Sequence, residues 1–434
     1  MRYNKQEMAY LIGIDIGTTN TKALLYDPQQ GRVVDQAARP TPTDHPIPDW
    51  SQHDPEQLWQ TVADCLRQVA AGRPVAGLAV SSLAEAGVGL DEHGQPVYPI
   101  IAWYDRRTDP QAAWWETQLS AEELHAITGQ RVSISFGVNK WLWIRQNHPE
   151  RARQMKYWLS VPDYILWRLS GERATDYTIA SRTMLFDQRR LDWSDELLQR
   201  AGLYREQLPQ PLPSGTCMGR VAAEAAAQTG LPVGTPCVLG GHDHLCTTFA
   251  AGAYRPGTAV DSSGTAQGLM LFLNEFQTGP LFARQAYSCY AHVAPGRFVL
   301  KGVSKAAGGA IQWLVRQLAG PGAEEGQLPY DRLEIEAQEG VGKRVGPLWL
   351  PHFIGSGPPD SDRYGRAALV GVQIEHNRGD LFRALLEGLA FNTHHGLRQM
   401  QALTGQELER AILTGGTTRI RLLVQLKADV LNLP

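Results

Sequence analysis

Short apolar runs broken by polar turns give this chain its outline. Leu11-Ile12-Gly13-Ile14 leads into Asp15 and the polar stretch Gly17-Thr18-Thr19-Asn20, and a second β-rich run over 22–26 closes at Asp27-Pro28. That pattern predicts strand, tight turn, strand, with a carboxylate at the end of the first strand. A polar, Pro-rich passage over 39–55 follows. Beyond it Leu58, Val62, Leu66 and Val69 recur at helical spacing and predict a helix over about 56–71. Residues 75–82 read as a buried strand that delivers Leu83-Ala84-Glu85-Ala86-Gly87. A strand over 87–91 turns at Glu92-His93-Gly94, and a further strand ends in the polar group Trp103-Tyr104-Asp105-Arg106-Arg107. From 108 to 200 the pattern is mainly helical, with a break at 175–187. A strand over 237–241 ends in His242-Asp243-His244 and runs into a small-residue helix over 245–252. Residues 254–257 are turn-rich and mark the boundary between two halves.

The first turn is suited to anions. Gly17 lets the backbone approach a ligand closely, and two Thr and an Asn offer hydroxyl, amide and N–H donors on one tip, an arrangement that fits phosphate oxygens. Asp15 beside them suits a hydrated Mg2+, which takes few protein carboxylates and keeps its waters. An ordinary polar hairpin turn would use the same small residues. There is no G-x-x-x-x-G-K-[ST], and the turn enters a strand rather than a helix, so this is not a Walker loop. The second half opens on the same chemistry: an apolar strand, Asp261, small residues, then Gly264-Thr265. Two such clips, one opening each half, are far more specific than either alone.

The D-x-G-T-T clip resembles the first phosphate loop of the actin and sugar-kinase superfamily, and DIGTTNTKALLYD over 15–27 looks most like the FGGY carbohydrate kinases. Lys140-Trp141-Leu142-Trp143 resembles the family's first signature, although Gly137 stands where a small hydroxyl residue or Pro is usual. The run 174–187 resembles an internal family segment, 380–388 the second signature, and 412–418 with Gln425, Ala428 and Asp429 the adenosine motif. The resemblance spans 11–434. It implies an α/β protein with two ribonuclease-H-like (actin-like) domains and an interdomain active-site cleft: a tail over 1–9, a sugar-binding domain with the first clip over 10–253, and a nucleotide-binding domain over 258–434.

What the family implies for residues follows position by position. Asp243, after a strand and Gly240-Gly241, matches the catalytic Asp that takes the proton of a sugar hydroxyl; read from the sequence alone it is equally a helix N-cap. Thr18, Thr19, Asn20 and Lys22 on one side and Gly264 and Thr265 on the other would hold the β- and γ-phosphates of ATP. Gly308, Gln312, Gly415 and Gly416 would border adenine and ribose, with Ile420 where relatives often carry Asn or Ser. Asp15, with Asp243, would hold Mg2+, partly through water. Glu85, Trp103, Asp105, Arg106, Asp243 and His244 match the substrate pocket, with an Asp105–Arg106 ion pair and a structural Glu85–Arg106 pairing as the non-functional readings. His242 and His244 near Cys237 and Cys246 raise a transition-metal site, but alternate residues entering a helix are expected to diverge, and phosphoryl transfer asks for oxygen ligands to Mg2+. The segment 83–87 lacks the patterns usual in xylulokinases and glycerol kinases, so neither substrate follows.

Composition narrows the setting. At 434 residues the chain is long enough for two domains, and a net charge of −3 gives no sign of a nucleic-acid or membrane-surface partner. No apolar run approaches a membrane span, and MRYNKQEMAY has no signal-peptide core, so a cytoplasmic setting is the expectation. The five cysteines are widely spaced, as free thiols in a reducing compartment would be. The expected function is ATP-dependent phosphorylation of a small sugar, ketose, polyol or sugar acid, with a homodimer as the assembly if there is one. The alternative is a catalytically impaired actin-like nucleotide-binding protein, because relatives are expected to continue some tens of residues past Pro434.

Overall fold

The first hairpin forms as its pattern requires. In Tyr10–Ile16 the residues Ile12, Ile14 and Ile16 point into the core, and Asn20–Asp27 pairs with it antiparallel, Asp15 opposite Lys22. A computed structural model describes residues 9–319, 329–339 and 346–433. The expected tail lies outside the described residues except for Ala9, as does Pro434.

Two units make up the chain. The first comprises Met1–Thr128, Val132–Ala250 and Tyr290–Gly296; the second comprises Gly129–Arg131, Ala251–Cys289 and Arg297–Pro434. The first unit is built on a six-stranded sheet in the order Cys217–Arg220, Pro236–His242, Val75–Ser82, Tyr10–Ile16, Asn20–Asp27, Arg32–Pro40. The middle three strands are parallel. Their carboxyl ends therefore lie side by side, Ile16 and His242 both in register with Ser82. Helix Pro55–Ala70 packs Leu58, Trp59, Val62 and Leu66 onto this sheet, and Asp54 caps it by accepting from the N–H groups of Glu56 and Gln57 at 2.9 Å. A second core of this unit gathers Trp115, Trp141, Trp143 and Trp158.

A five-stranded sheet, all of it in the second unit except Tyr290 and Ala291, runs in the order Ser288–Ala291, Phe298–Ser304, Gln267–Leu273, Thr258–Ser263, Arg410–Thr414. Thr258–Ser263 is parallel to Arg410–Thr414 and antiparallel to Gln267–Leu273, which is antiparallel to Phe298–Ser304. Each sheet thus carries a three-strand antiparallel meander with a parallel strand beside its first member, the physical basis of the repeated clip. The 27-residue helix Arg378–Thr404 starts in a capping box of Asn377 and Asp380 and buries Phe382, Leu385, Leu386 and Leu389.

Three local expectations change. Arg32–Pro40 is a strand where none is expected: it is an edge strand, exposed along most of its length, and shows no apolar alternation. The helix after the strand Pro236–His242 starts at Asp243 rather than at residue 245. The polar group at 103–107 does not end a strand, because Asp105 caps a short 3-10 turn, Arg106–Thr108.

Candidate active site

The carboxyl ends of adjacent parallel strands are where open α/β sheets collect ligands, and here they bring together groups far apart in sequence. Asp15 sits opposite Ser81 on the neighbouring strand, and Asp243 follows directly on the last residue of the next strand. Burial pushes the Cys246 thiol up to about 12, with Asp176 adding to the shift and Asp243 and Asp15 contributing less. Burial raises the pKa of Asp15, with the Lys22 ammonium opposing the shift. Two carboxylates at the ends of strands that flank Val75–Ser82 supply the oxygen donors that a hydrated divalent ion takes, directly or through water, so these residues fit Mg2+.

The clip at the tip is tightly held. The Gly17 N–H donates to Asn20 O at 3.0 Å, the Thr41 N–H to Thr19 O at 2.9 Å, and the Thr41 hydroxyl to Gly17 O at 2.7 Å. These contacts hold the turn that carries Thr18 and Thr19 through the backbone of its neighbours. Trp103, 38% exposed, donates its indole N–H to Thr18 Oγ1 at 3.0 Å, joining a position expected to face the sugar to the first clip.

Glu85 lies in a three-residue turn, the Ala86 N–H donating to Ala84 O at 2.7 Å, with φ +62, a backbone conformation costly for a residue with a Cβ. Its carboxylate meets Arg182, not Arg106: Nη2 lies 2.5 Å and Nε 2.7 Å from Oε1, with the Glu85 side chain 9% exposed. Arg106 instead pairs with Asp109 at the surface, at 2.9 Å. Asp105 is not available to a ligand. Its buried carboxylate accepts from the Ser51 N–H at 2.6 Å, the Arg107 N–H at 2.8 Å and the Arg107 guanidinium at 2.8 and 3.0 Å. It therefore holds the loop, and its pairing is with Arg107 rather than Arg106.

Three groups that sequence reasoning did not single out support this corner. Arg182 stands within the recognised run at 174–187, although nothing there marks it as the partner of Glu85. Lys140 is buried within the first signature, its ammonium donating to Ser135 O at 2.6 Å, Ile134 O at 2.8 Å and Trp103 O at 3.5 Å. Burial lowers its pKa from 10.5 to about 7, with Glu85 and Asp105 opposing. The unfolded chain then holds the extra proton between those values, so this group's contribution to stability is flat below about pH 7 and rises with pH from there towards 10.5. Melting temperature measured across that window should rise less steeply in Lys140→Met than in the wild-type protein; parallel curves would count against the assignment.

Thr178 is the third. Its hydroxyl donates to Asp176 Oδ1 at 2.5 Å and accepts the His242 N–H at 2.8 Å, tying down the strand end that presents Asp243. Thr178→Val leaves that buried N–H without its acceptor, at a cost of about 1–3 kcal/mol. The expected result is a lowered melting temperature with a fall in kcat and little change in KM for ATP; an unchanged kcat would remove Thr178 from the positioning of Asp243.

Around Asp243 the side chains converge. His242 Nε2 lies 3.2 Å from Asp243 Oδ1, and the rings of His242 and His244 are 5.3 Å apart. The expected divergence of the two histidines is thus corrected: the backbone folds from strand into helix between them, and a register shift at 239–241 precedes the turn.

In the second unit, the second clip meets the two segments assigned to the nucleoside. The Gly308 N–H donates to Gly264 O at 2.9 Å and the Gly309 N–H to Thr265 O at 3.1 Å, while the Thr417 hydroxyl donates to Ser263 O at 3.1 Å. A Cβ on Gly308 or on Gly415 would come within 2.4 Å of a clip carbonyl, whereas Gly264 and Gly416 have open space beside them. Gln312 lies one turn into the helix Gly308–Ala319. Beneath the clip, Lys427 reaches Asp261 Oδ2 at 2.5 Å, and the amide of Gln267 donates to the same oxygen at 2.9 Å.

The sequence model described as the FGGY family of carbohydrate kinases, N-terminal domain, matches residues 10–250, and that of the C-terminal domain matches 259–434. The chain is 29% identical over 435 residues to an L-fuculokinase of Escherichia coli K12, covering 99% of this chain and 88% of the relative. It is 30% identical over 442 residues to a glycerol kinase of Symbiobacterium thermophilum, covering 98% and 85%. The crystal structure of a xylulose kinase from Rhodospirillum rubrum superposes with a TM-score of 0.87 at 30% identity, covering 98% of this chain and 85% of that one. The expectation of a cut-short second half is not borne out, since the C-terminal model matches through residue 434.

Proposed function

The chain belongs to the FGGY family of carbohydrate kinases, and from that premise we propose how its own residues carry the reaction. The reaction is ATP-dependent phosphorylation of a hydroxyl of a small sugar or polyol. A hydroxyl is a poor nucleophile near neutral pH, and Asp243 takes its proton as the bond to phosphorus forms. The supporting observation is the placement of Asp15 and Asp243 at the carboxyl ends of two parallel strands that flank the strand Val75–Ser82.

Thr18, Thr19, Asn20 and Lys22, with Gly264 and Thr265, hold the phosphates; Gly308, Gln312, Gly415 and Gly416 border the nucleoside. Asp15 and Asp243 hold Mg2+, which when bound offsets phosphate charge. The acceptor meets Glu85 with Arg182 behind it, Trp103, Arg106 and His244, while Asp105 keeps the loop in place. The division between the two domains is placed at 254–257. A cytoplasmic setting and a homodimer belong to this proposal; among the described residues no helix is long and apolar enough to cross a membrane.

A panel measuring ATP consumption against pentuloses, hexuloses, polyols and aldonates tests the reading and names the acceptor. One substrate class should stand clear of the rest. Nucleotide binding without turnover on any member would favour the impaired nucleotide-binding alternative, which the matches to both domain models disfavour.

A further inference from the structure

His242, Asp243 and His244 offer one ligand atom each, and these atoms all lie within 4.8 Å of one another. Donors held about 2 Å from a tetrahedral Zn2+ sit a little over ~3 Å apart; His242 Nε2 and Asp243 Oδ1 already have that spacing, at 3.2 Å. His242 is buried and its backbone is anchored on Thr178. His244 is exposed on the first turn of the helix, so its ring is able to close the remaining distance by rotation.

We propose that His242, Asp243 and His244 form an inhibitory transition-metal site, which takes Zn2+ through two imidazole nitrogens and the Asp243 carboxylate. Two nitrogens and one oxygen with a fourth position open to water make a donor set common for Zn2+. Imidazole donors favour zinc strongly over Mg2+, which prefers oxygen and gives up its water reluctantly. The same three residues therefore discriminate between two ions: Mg2+ leaves the histidines alone, whereas Zn2+ draws the carboxylate into its own shell. A carboxylate bound to zinc no longer accepts a proton from the sugar hydroxyl, so the occupied site stops turnover. The inhibition rests on Asp243 being the base; the binding of zinc does not.

The test uses the full chain, freed of metal by dialysis. Calorimetric titration with Zn2+ in excess Mg2+, without nucleotide, should give one ion per chain with an affinity at least about tenfold weaker in His244→Asn and in His242→Gln. Turnover with excess Mg-ATP is compared with and without Zn2+ for each protein against its own zinc-free rate, and the zinc needed for half inhibition should rise by the same factor. Cobalt(II) bound in place of zinc should give a visible absorption band that both variants lose. Zinc affinity that neither variant changes would overturn the site whatever Asp243 does in catalysis. A variant-sensitive ion that leaves wild-type turnover intact would overturn the inhibition and the base role of Asp243 together.

Discussion

Asp243→Asn is expected to cut sugar-dependent ATP turnover by roughly 10²–10⁴-fold, the usual worth of a general base. Nucleotide binding should barely change. The substitution keeps the side chain's size and its place in the first turn of the helix. The His244 N–H donates to Asp243 Oδ1 at 2.6 Å, and an amide oxygen accepts that bond equally well. What is lost is the basicity, together with the negative charge that Asp243 offers Mg2+ in the proposed site. Steady-state turnover combined with nucleotide titration separates the two effects, and a variant retaining more than about a tenth of kcat would remove Asp243 from the base role.

The second large effect concerns Glu85. The sequence leaves it two roles, sugar contact or structural partner of Arg106, and the structure supplies a different partner in Arg182. The Arg182 guanidinium is largely buried, packed over Phe136 with the ring centroid at 4.8 Å and near Tyr290 at 5.5 Å. Glu85→Ala therefore removes the carboxylate that a buried cation is bonded to, leaving the more remote Asp243, a change that typically costs up to about 3–5 kcal/mol. Removing both charges, as in Glu85→Gln with Arg182→Met, should be less damaging than the sum of the single changes. In the proposed pocket Glu85 also meets the sugar, so kcat/KM for the true acceptor should fall by one or more orders of magnitude in Glu85→Gln while KM for ATP stays level. Two epimeric sugars on the same preparation decide the point. A lowered melting temperature with an unchanged epimer preference would make the pair purely structural.

The parts of this molecule that were legible in the sequence are those whose chemistry is local. Asp15-Ile16-Gly17-Thr18-Thr19 and Asp261 to Thr265 announce strand ends and turns by their own composition, and the repeated sheet motif follows from their repetition. Contacts across long separations were not legible. Glu85 and Arg182 lie 97 positions apart, and no periodicity links them. Lys140 reads as one more residue of a helix until the carbonyls of 134 and 135 fold over it. The convergence of His242 and His244 escaped a spacing argument because that argument assumes one kind of backbone throughout, and the chain changes from strand to helix between them. Asp105 misled for a related reason: a carboxylate beside an arginine at a loop looks available, and only the Ser51 N–H and the Arg107 guanidinium show that it is not.

The segment Tyr290–Gly296, which belongs to the first unit, bears on how the chain is made. The Ala291 N–H donates to Gln188 Oε1 at 2.9 Å, and His292 Nε2 lies 3.1 Å from the Thr248 hydroxyl. A ribosome that has released residues 1–250 has delivered both clip strands and Asp243, but not the strip that fills these buried positions. Domains of long chains usually fold as units in the order of their synthesis. Here the first unit waits for the strands Thr258–Ser263 and Gln267–Leu273 of the other sheet to emerge before its last piece arrives. The nascent first half thus spends the interval without the strip that Gln188 and Thr248 hold, and it is completed only after part of the second sheet has left the ribosome.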